Sequence, residues 1–194
     1  QAASIAASVR LCYPTGADWS IRNLTFDGNK ANNTTQEQRH GLFITDSERG
    51  LVSHCTFKNF TGDGIFLYDN ANNSTFFDVH ILDCERNGIT FGGTLGITNA
   101  NVIGGHFVGN AVQQIDSEAG GAISGITING AYIDGLTSND YAITCSGVSR
   151  TARSSGFVIT NCVINGPVRT VWCDDVVITN NRISSASTNK PALF

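Results

Sequence analysis

Apolar and turn-forming residues follow one short pattern that recurs seven times along the chain. Each copy has an apolar residue, a turn-forming residue two positions later, and a second apolar residue three positions after that. The copies are Ile21–Asn23–Phe26, Val52–His54–Phe57, Phe76–Asp78–Ile81, Val102–Gly104–Phe107, Ile128–Gly130–Ile133, Ile159–Asn161–Ile164 and Ile178–Asn180–Ile183. The central position holds only Asn, His, Asp or Gly, which suit sharp bends. Each copy therefore predicts two short strands joined by a bend.

A second set of apolar segments lies between these copies. The segments are Leu42-Phe43-Ile44, Ile65-Phe66-Leu67, Ile89-Thr90-Phe91, Ile115-Asp116-Ser117, Ile143-Thr144-Cys145 and Val171-Trp172-Cys173. Strand alternation turns their first and third positions inward and their middle position outward. Three strands per repeat, with a period in the twenties, are typical of a β-solenoid. A Greek-key sandwich also has many short strands, but it would not keep one spacing seven times.

We therefore predict an all-β fold, a single-stranded right-handed parallel β-helix of about seven coils that includes residues 1–194 as one domain. The composition agrees, because 21 glycines and only 3 prolines suit tight turns and continuous backbone ladders. A net charge of −4 argues against nucleic acid as a partner, and no apolar run is long enough to span a membrane. The chain begins with Gln1 and contains no Met, so we expect a processed product or part of a longer protein.

The repeat resembles the pectate-lyase-like superfamily of right-handed parallel β-helices, which includes pectate lyases, polygalacturonases and phage tailspikes. The residues that carry the resemblance are the seven bends and the segments Asp27-Gly28-Asn29, Gly62-Asp63-Gly64-Ile65 and Asn87-Gly88-Ile89. The resemblance includes about residues 17–186 and implies the fold. Lyases, hydrolases, epimerases and inert structural modules all share this fold, so it implies no single activity. The polygalacturonase Asn-Thr-Asp motif and a complete pectate-lyase calcium site are both missing, so no catalytic residue is carried over.

Two carboxylates and a row of aromatic residues are predicted on the outer face of the second set of strands. Asp116 and Glu118 are two positions apart on one strand, about 6.6 Å apart at the backbone. Paired carboxylates at such a separation serve glycoside hydrolysis, one as acid and the other as base or nucleophile. We therefore predict them as the catalytic residues. A solvated acidic face is the alternative interpretation.

The aromatic residues on this face are predicted to bind the substrate, because flat apolar rings with a polar edge stack on sugars. They are Phe43, Phe66, Tyr68 and Trp172. Gly92 and Gly93 are expected to leave a dip beside them. The alternative interpretation is a subunit interface, such as that of a homotrimer, since exposed aromatic rows also serve association.

A second candidate face is formed by the outward positions that follow the bends. His80, His106 and Tyr132 are predicted to lie in successive coils, with Arg182 two coils further along. These residue types suit lyase chemistry, in which a base abstracts a proton next to a carboxylate and a cation neutralises that acid. A decorated sheet surface without a catalytic role is the alternative.

Two further details bear on ligands and cysteine chemistry. Asp46 and Asp69 share a turn position, where they either cap backbone N–H groups or form a weak calcium contact. No other cofactor or metal site is predicted. Cys145 and Cys173 are predicted in the same inward position of adjacent coils, as two reduced core thiols or as a disulfide.

The sequence as a whole favours an extracellular or virion-surface β-helix that recognises a polysaccharide, is tailspike-like, and cleaves glycosidic bonds as a hydrolase or lyase. The alternative is a non-catalytic structural or adhesive module, such as a phage decoration or fibre protein. Insertions at residues 30–39 and 144–155 are expected to border the binding site.

Overall fold

A computed structural model describes residues 10–135 and 141–184, and these residues form a parallel β-helix. Three long sheets run along the solenoid. Sheet I consists of Ser20–Arg22, Leu51–Ser53, Thr75–Phe77, Asn101–Ile103, Thr127–Asn129, Val158–Thr160 and Val177–Thr179. Sheet II consists of Thr25–Asp27, Thr56–Lys58, His80–Leu82, His106–Val108, Tyr132–Asp134, Val163–Asn165 and Arg182–Ser184. Sheet III consists of Leu42–Ile44, Ile65–Tyr68, Ile89–Gly93, Ile115–Ala119, Ile143–Ser146 and Val168–Val171.

Short two-residue strands turn the chain from sheet III back to sheet I. One group is Gly16–Ala17, Ser47–Glu48 and Ala71–Asn72, and the other is Ile97–Thr98, Ile123–Ser124, Ser154–Ser155 and Cys173–Asp174. A single 3-10 turn, Lys30–Asn32, is the only helical segment in the described part of the chain. No helix among the described residues is long and apolar enough to cross a membrane.

The seven predicted bends between sheets I and II are confirmed. All seven central residues adopt a left-handed backbone conformation, from Asn23 with φ of 56° to Asn180 with φ of 55°. Left-handed backbone is accessible to Gly and, at modest cost, to Asn, Asp and His. The apolar residues on either side are paired in the predicted register, as in Phe76↔Val102 and Ile81↔Phe107. The all-β prediction and the stacking of parallel strands are therefore confirmed.

The predicted register of sheet III is correct for its first five strands and wrong for the last. Ile115 pairs with Ile89 and Ile143 as expected. Ile143, however, pairs with Val168 rather than Val171. Only Gly166 and Pro167 separate Val168 from the preceding strand of sheet II, so the chain enters sheet III three residues earlier than the similarity of the apolar segments suggests.

The core is a continuous column of apolar side chains that the three sheets enclose. Phe57, Phe76, Phe91 and Phe107 are almost completely buried. Phe26 stacks on Phe57, with 4.8 Å between ring centroids and an interplanar angle of 8°. Stacks of like residues arise because each inward side chain lies directly above its counterpart one coil away, about 4.8 Å along the axis.

The six cysteines are free thiols. Cys145 pairs with Thr170, and Cys173 pairs with Ser154 at the corner, so the predicted shared position of Cys145 and Cys173 is wrong. The cause is the early start of the last strand of sheet III.

Burial makes most of these thiols chemically inert. Burial raises the pKa of Cys84 to about 12 and also raises the pKa of Cys145. Since the thiolate is the reactive form, we expect iodoacetamide to label half-buried Cys12 and Cys173 before Cys84 and Cys145 in the folded protein. Peptide mass spectrometry checks this order, and labelling in denaturant provides the control because all six thiols then react. Equal labelling of Cys84 and Cys173 in the folded protein would contradict it.

Candidate functional site

A groove of about 370 Å³ lies over the first four strands of sheet III. We call it the first groove, and its lining residues are Arg10, Glu37, Gln38, Phe43, Phe66, Tyr68, Arg86 and Glu118. Glu37 and Gln38 come from the insertion at residues 30–39. The predicted placement of an insertion beside the site is therefore found here.

Three of the predicted substrate-binding aromatics form one cluster in this groove. Phe43 and Phe66 pack edge to face with 5.6 Å between ring centroids, and Tyr68 lies 5.7 Å from Phe43. Phe43 and Phe66 are only 4% and 6% exposed, so the expectation that they project into solvent is wrong. Tyr68 is half-buried, and Tyr13 stacks on Phe43 at 5.6 Å with 48% of its surface exposed. The two tyrosines therefore present the accessible rings, and the phenylalanines support them.

The burial of Phe43 and Phe66 follows from their neighbours. A Cβ added to Gly92 would lie 2.8 Å from the Phe66 ring, so this ring occupies the space above Gly92. The Asp69 carboxylate occupies the space above Gly93 in the same way. The predicted dip at these glycines is therefore filled by side chains of the preceding coil. An interface through Phe43 and Phe66 would also have little surface left to bury.

A ladder of buried polar side chains runs beside the groove, one per coil, each two residues before a strand of sheet III. The backbone N–H of Asp63 donates to Nδ1 of His40 at 3.1 Å, that of Asn87 donates to Oδ1 of Asp63 at 2.9 Å, and that of Gln113 donates to Oδ1 of Asn87 at 3.1 Å. His40, Asp63 and Asn87 are fully buried. Each side chain thus satisfies a buried donor of the next coil, as buried polar groups require.

Arg86 connects this ladder to the groove. Its guanidinium contacts three carboxylates: Nη1 donates to Asp63 at 3.1 Å, and Nη2 contacts both Glu37, at 3.2 Å, and Glu118. The Arg86 side chain is 16% exposed, whereas Asp63 is completely buried. A buried carboxylate needs such a charged partner. Glu37 and Glu118 therefore share one nitrogen of Arg86.

Glu118 lies in the first groove in an unusual environment. Burial raises its pKa above the ordinary value; Arg86 opposes this rise, while the negative charges of Asp63 and Glu37 add to it. The side chain keeps 37% exposure, so it remains open to a ligand. A carboxyl group that stays protonated to higher pH than usual is suited to donate a proton.

Asp116, the predicted catalytic partner of Glu118, has a different environment. It is only 5% exposed, and Asn87 Nδ2 donates to its Oδ2 at 3.3 Å. The expectation that it projects into solvent beside Glu118 is wrong, because the ladder residue Asn87 and the following coil enclose it. Asp116 lines a second cavity rather than the first groove.

Trp172 is also displaced from its predicted position. The sequence predicts Trp172 in the coil after Thr144 at the same outward position, but Thr144 pairs with Arg169. Trp172 instead lies at a bend with φ of 52° and is 41% exposed. It therefore lines the second cavity with Asp116, far along the sheet from Phe43.

The second candidate face has the predicted register. His80 pairs with His106 and His106 with Tyr132, and the ring centroids lie 4.9 Å and 5.5 Å apart. His80 Nε2 lies 3.4 Å from Asp78, and Asn165 donates to the Tyr132 hydroxyl at 3.1 Å. This face is an open surface whose side chains bond to their own neighbours, so its lyase role stays a prediction.

Asp69 makes the bond to a backbone N–H that is expected of a turn residue, whereas Asp46 accepts from a side-chain amide. Asn70 Nδ2 donates to Asp46 at 3.0 Å, and the backbone N–H of Leu95 donates to Asp69 at 2.8 Å. Within residues 10–135 and 141–184, no group of three or more His, Cys, Asp or Glu side chains is placed to hold a metal ion. The weak calcium contact stays a prediction without support from these bonds.

Three residues of the site, His40, Asp63 and Arg86, were missed by reasoning from strand alternation, because they lie in the bends that precede sheet III. A signal was present in the sequence: His40, Asp63, Asn87 and Gln113 each stand two residues before an apolar segment. A polar residue at a constant distance from a buried strand indicates a ladder of side-chain to backbone bonds.

The chain belongs to the family described as right handed beta helix region, whose model matches residues 12–152. This match confirms the handedness of the solenoid and the predicted superfamily resemblance. Comparison with curated proteins gives no significant match.

Two solved structures that match this chain are modules of mannuronan C-5 epimerases. The A-module of mannuronan C-5 epimerase AlgE4 from Azotobacter vinelandii is 12% identical, with a TM-score of 0.39, over 94% of this chain and 78% of that chain. The AlgE6 A-module from the same organism is 13% identical, with a TM-score of 0.38, over 92% of this chain and 77% of that chain. Likeness at this level concerns the fold alone.

Proposed function

We propose that the chain binds a polysaccharide in the first groove and hydrolyses its glycosidic bonds, with Glu118 as the general acid. One observation carries the proposal: a carboxyl group with a raised pKa lies in the same groove as the accessible ring of Tyr68, and Tyr13 stacks on Phe43, another lining residue of that groove. Tyr13 and Tyr68 offer flat faces on which sugar rings stack, while Glu118 reaches the same space. An extracellular or virion-surface location accompanies this proposal, since polysaccharides are accessible there.

The second carboxylate of the reaction is Glu37 in this proposal. Its side chain is 62% exposed, and it contacts the same Arg86 nitrogen as Glu118. The two carboxylates are therefore no further apart than two ion-pair contacts. Retaining glycosidases use a pair of carboxylates that lie about 5–5.5 Å apart. Glu118 protonates the leaving oxygen as the glycosidic C–O bond breaks, and Glu37 attacks the anomeric carbon. Water then releases the sugar, and Glu118 takes up the proton of that water.

The charges of the groove favour an uncharged polysaccharide. The lining residues include two carboxylates, Glu37 and Glu118, and two guanidinium groups, Arg10 and Arg86, and the buried Asp63 carboxylate pairs with Arg86 beneath them. The Arg86 guanidinium is already matched by its carboxylate partners, and the whole chain carries a net charge of −4. Arg10 is the one lining cation that forms no ion pair within the described residues, and its guanidinium lies 3.5 Å from the centre of the Phe43 ring. An acidic polymer would meet this single cation against the repulsion of a negatively charged chain.

A depolymerisation assay tests this function. Neutral glucans, mannans, xylans and chitin are incubated with the protein alongside pectate and alginate, and chain length is followed by size-exclusion chromatography. We expect a neutral polymer to be shortened with new reducing ends and no ultraviolet absorbance from unsaturated ends. Unsaturated ends would instead indicate a lyase. Binding without shortening would favour the non-catalytic structural or adhesive module, including a homotrimeric fibre or decoration protein.

The pH dependence of cleavage is a further prediction. Glu118 must be protonated to act as the acid, and its raised pKa keeps it protonated above the range of an ordinary glutamate, about 4.3. Cleavage should therefore fall as pH rises through the pKa of Glu118. In Asp63→Asn the falling limb should move to lower pH, because the charge of Asp63 raises the pKa of Glu118. Initial rates across pH measure this, and an unmoved limb in a folded variant would contradict it.

A further inference from the structure

A second cavity of about 440 Å³ lies on the same sheet as the first groove, further along the solenoid axis. We call it the second groove. Its lining residues include Asp116, Thr144, Gly147, Val148, Arg169 and Trp172. The two grooves share the strand Ile115–Ala119, which contributes Glu118 to the first and Asp116 to the second. Sheet III with its six strands extends about 24 Å along the axis.

The floor of the second groove carries polar groups that are removed from solvent. Asp116 and Thr144 are only 5% and 6% exposed. Thr144 Oγ1 has no hydrogen-bond partner within the described residues. An unpartnered buried hydroxyl is costly in a folded protein, so a partner supplied by a ligand would remove that cost. A ligand rich in hydroxyl groups can supply it.

The rim of the groove offers an aromatic ring and a cation. Trp172 is 41% exposed, and its left-handed backbone turns the chain at the edge of the cavity. A bulky residue in this conformation is uncommon and carries strain. Arg169 lies on the strand Val168–Val171, which directly precedes Trp172, and its guanidinium is 5.1 Å from the centre of the Tyr141 ring. An accessible indole beside buried acceptors and donors is the combination that recognises a sugar ring.

We infer that the second groove binds further sugar residues of the polymer held in the first groove, with Trp172 as the stacking ring and Asp116 and Thr144 as partners of sugar hydroxyls. This inference rests on the proposed function. A polymer that follows sheet III along the solenoid axis reaches both grooves, because they adjoin on one strand. Short oligosaccharides fill the first groove alone, and only longer ones gain the contacts of the second.

The test compares the binding of short and long oligosaccharides to a variant that does not hydrolyse them. Disaccharides and hexasaccharides of glucose, mannose, xylose and N-acetylglucosamine are titrated calorimetrically into Glu118→Gln and into Glu118→Gln with Trp172→Ala. We expect Trp172→Ala to weaken the binding of the best hexasaccharide about tenfold, the loss expected for one stacked ring, and to leave the disaccharide unchanged. Leu95→Ala is the matched control, because Leu95 is 67% exposed and lines neither groove.

Thr144→Val provides an independent variant. It keeps the shape of the side chain and removes the unpartnered hydroxyl, so hexasaccharide affinity should fall while thermal stability is kept or raised. Equal losses for both ligand lengths, or no loss for the hexasaccharide in either variant, would overturn the inference and leave the first groove intact. Absence of binding by every oligosaccharide to the protein with Trp172 and Thr144 intact would overturn the proposed function as well.

Discussion

Glu118→Gln is expected to reduce the rate of polysaccharide cleavage by at least about a hundredfold. General acid catalysis contributes about 10²–10⁴-fold, and glutamine keeps the size of the side chain without the transferable proton. The variant should still fold, since Glu118 is partly exposed and contacts the protein mainly through Arg86. Initial rates measured as new reducing ends, together with the circular dichroism spectrum, check both statements.

The control for this experiment is Glu48→Gln. Glu48 lies on a corner strand, outside both grooves, and its carboxylate pairs only with exposed Arg49 among the ion pairs of the described residues. Its replacement makes the same chemical change and should leave the rate unchanged. A Glu118→Gln protein with full activity would exclude Glu118 as the acid.

The variant Asp116→Asn distinguishes two roles for Asp116, which shares the strand Ile115–Ala119 with Glu118. The sequence predicts a catalytic pair, in which case Asp116→Asn would abolish turnover as Glu118→Gln does. The structure buries Asp116 in the second groove, so we expect a higher KM for long substrates with kcat nearly unchanged. Steady-state kinetics with the intact form of the polymer that the protein cleaves distinguishes these two roles.

Ile115→Asp is expected to prevent folding. Ile115 is 1% exposed and pairs with Ile89 on one side and Ile143 on the other, in the centre of sheet III. An aspartate here buries a charge with no partner, and the effective penalty is several kcal/mol. That is comparable to the whole net stability of a domain, about 5–15 kcal/mol. The loss of β-sheet signal in circular dichroism and the absence of a cooperative thermal transition measure this outcome.

Leu95→Asp is the control for this core substitution. Leu95 lies in the preceding coil and is 67% exposed, so the same charge is solvated there and the protein should fold normally. If Ile115→Asp were soluble and showed a cooperative transition like that of the control, the inward assignment of Ile115 would be wrong.

The sequence alone predicts the three sheets, because the signals for their bends and inward positions are local. A left-handed bend at Asn23 or Asn161 needs only a residue type that tolerates φ above zero, and the inward position of Ile89 needs only strand alternation. Seven copies at one spacing leave a solenoid as the consistent fold. The same local rules brought Phe43, Phe66 and Tyr68 to one face.

Loop length limited the prediction at the last strand of sheet III. Val171-Trp172-Cys173 resembles Ile143-Thr144-Cys145 in composition, yet Val168 takes the paired position. Two apolar candidates three residues apart are equivalent in a local pattern. The number of residues needed to leave sheet II decides between them, and this depends on the path of the chain in three dimensions.

The sequence by itself determined the parallel β-helix, the positions of its bends and the faces on which Glu118 and the His80–Tyr132 row lie. Only the tertiary structure decided that Arg86 holds Glu37 and Glu118 together, that Asp63 and His40 are buried beside them, and that Asp116 belongs with Trp172. The physical reason is the range of the interactions along the chain. Bends and strand faces follow from backbone preferences over two or three residues, whereas burial and ion pairing depend on side chains from different coils that meet only when the solenoid is stacked.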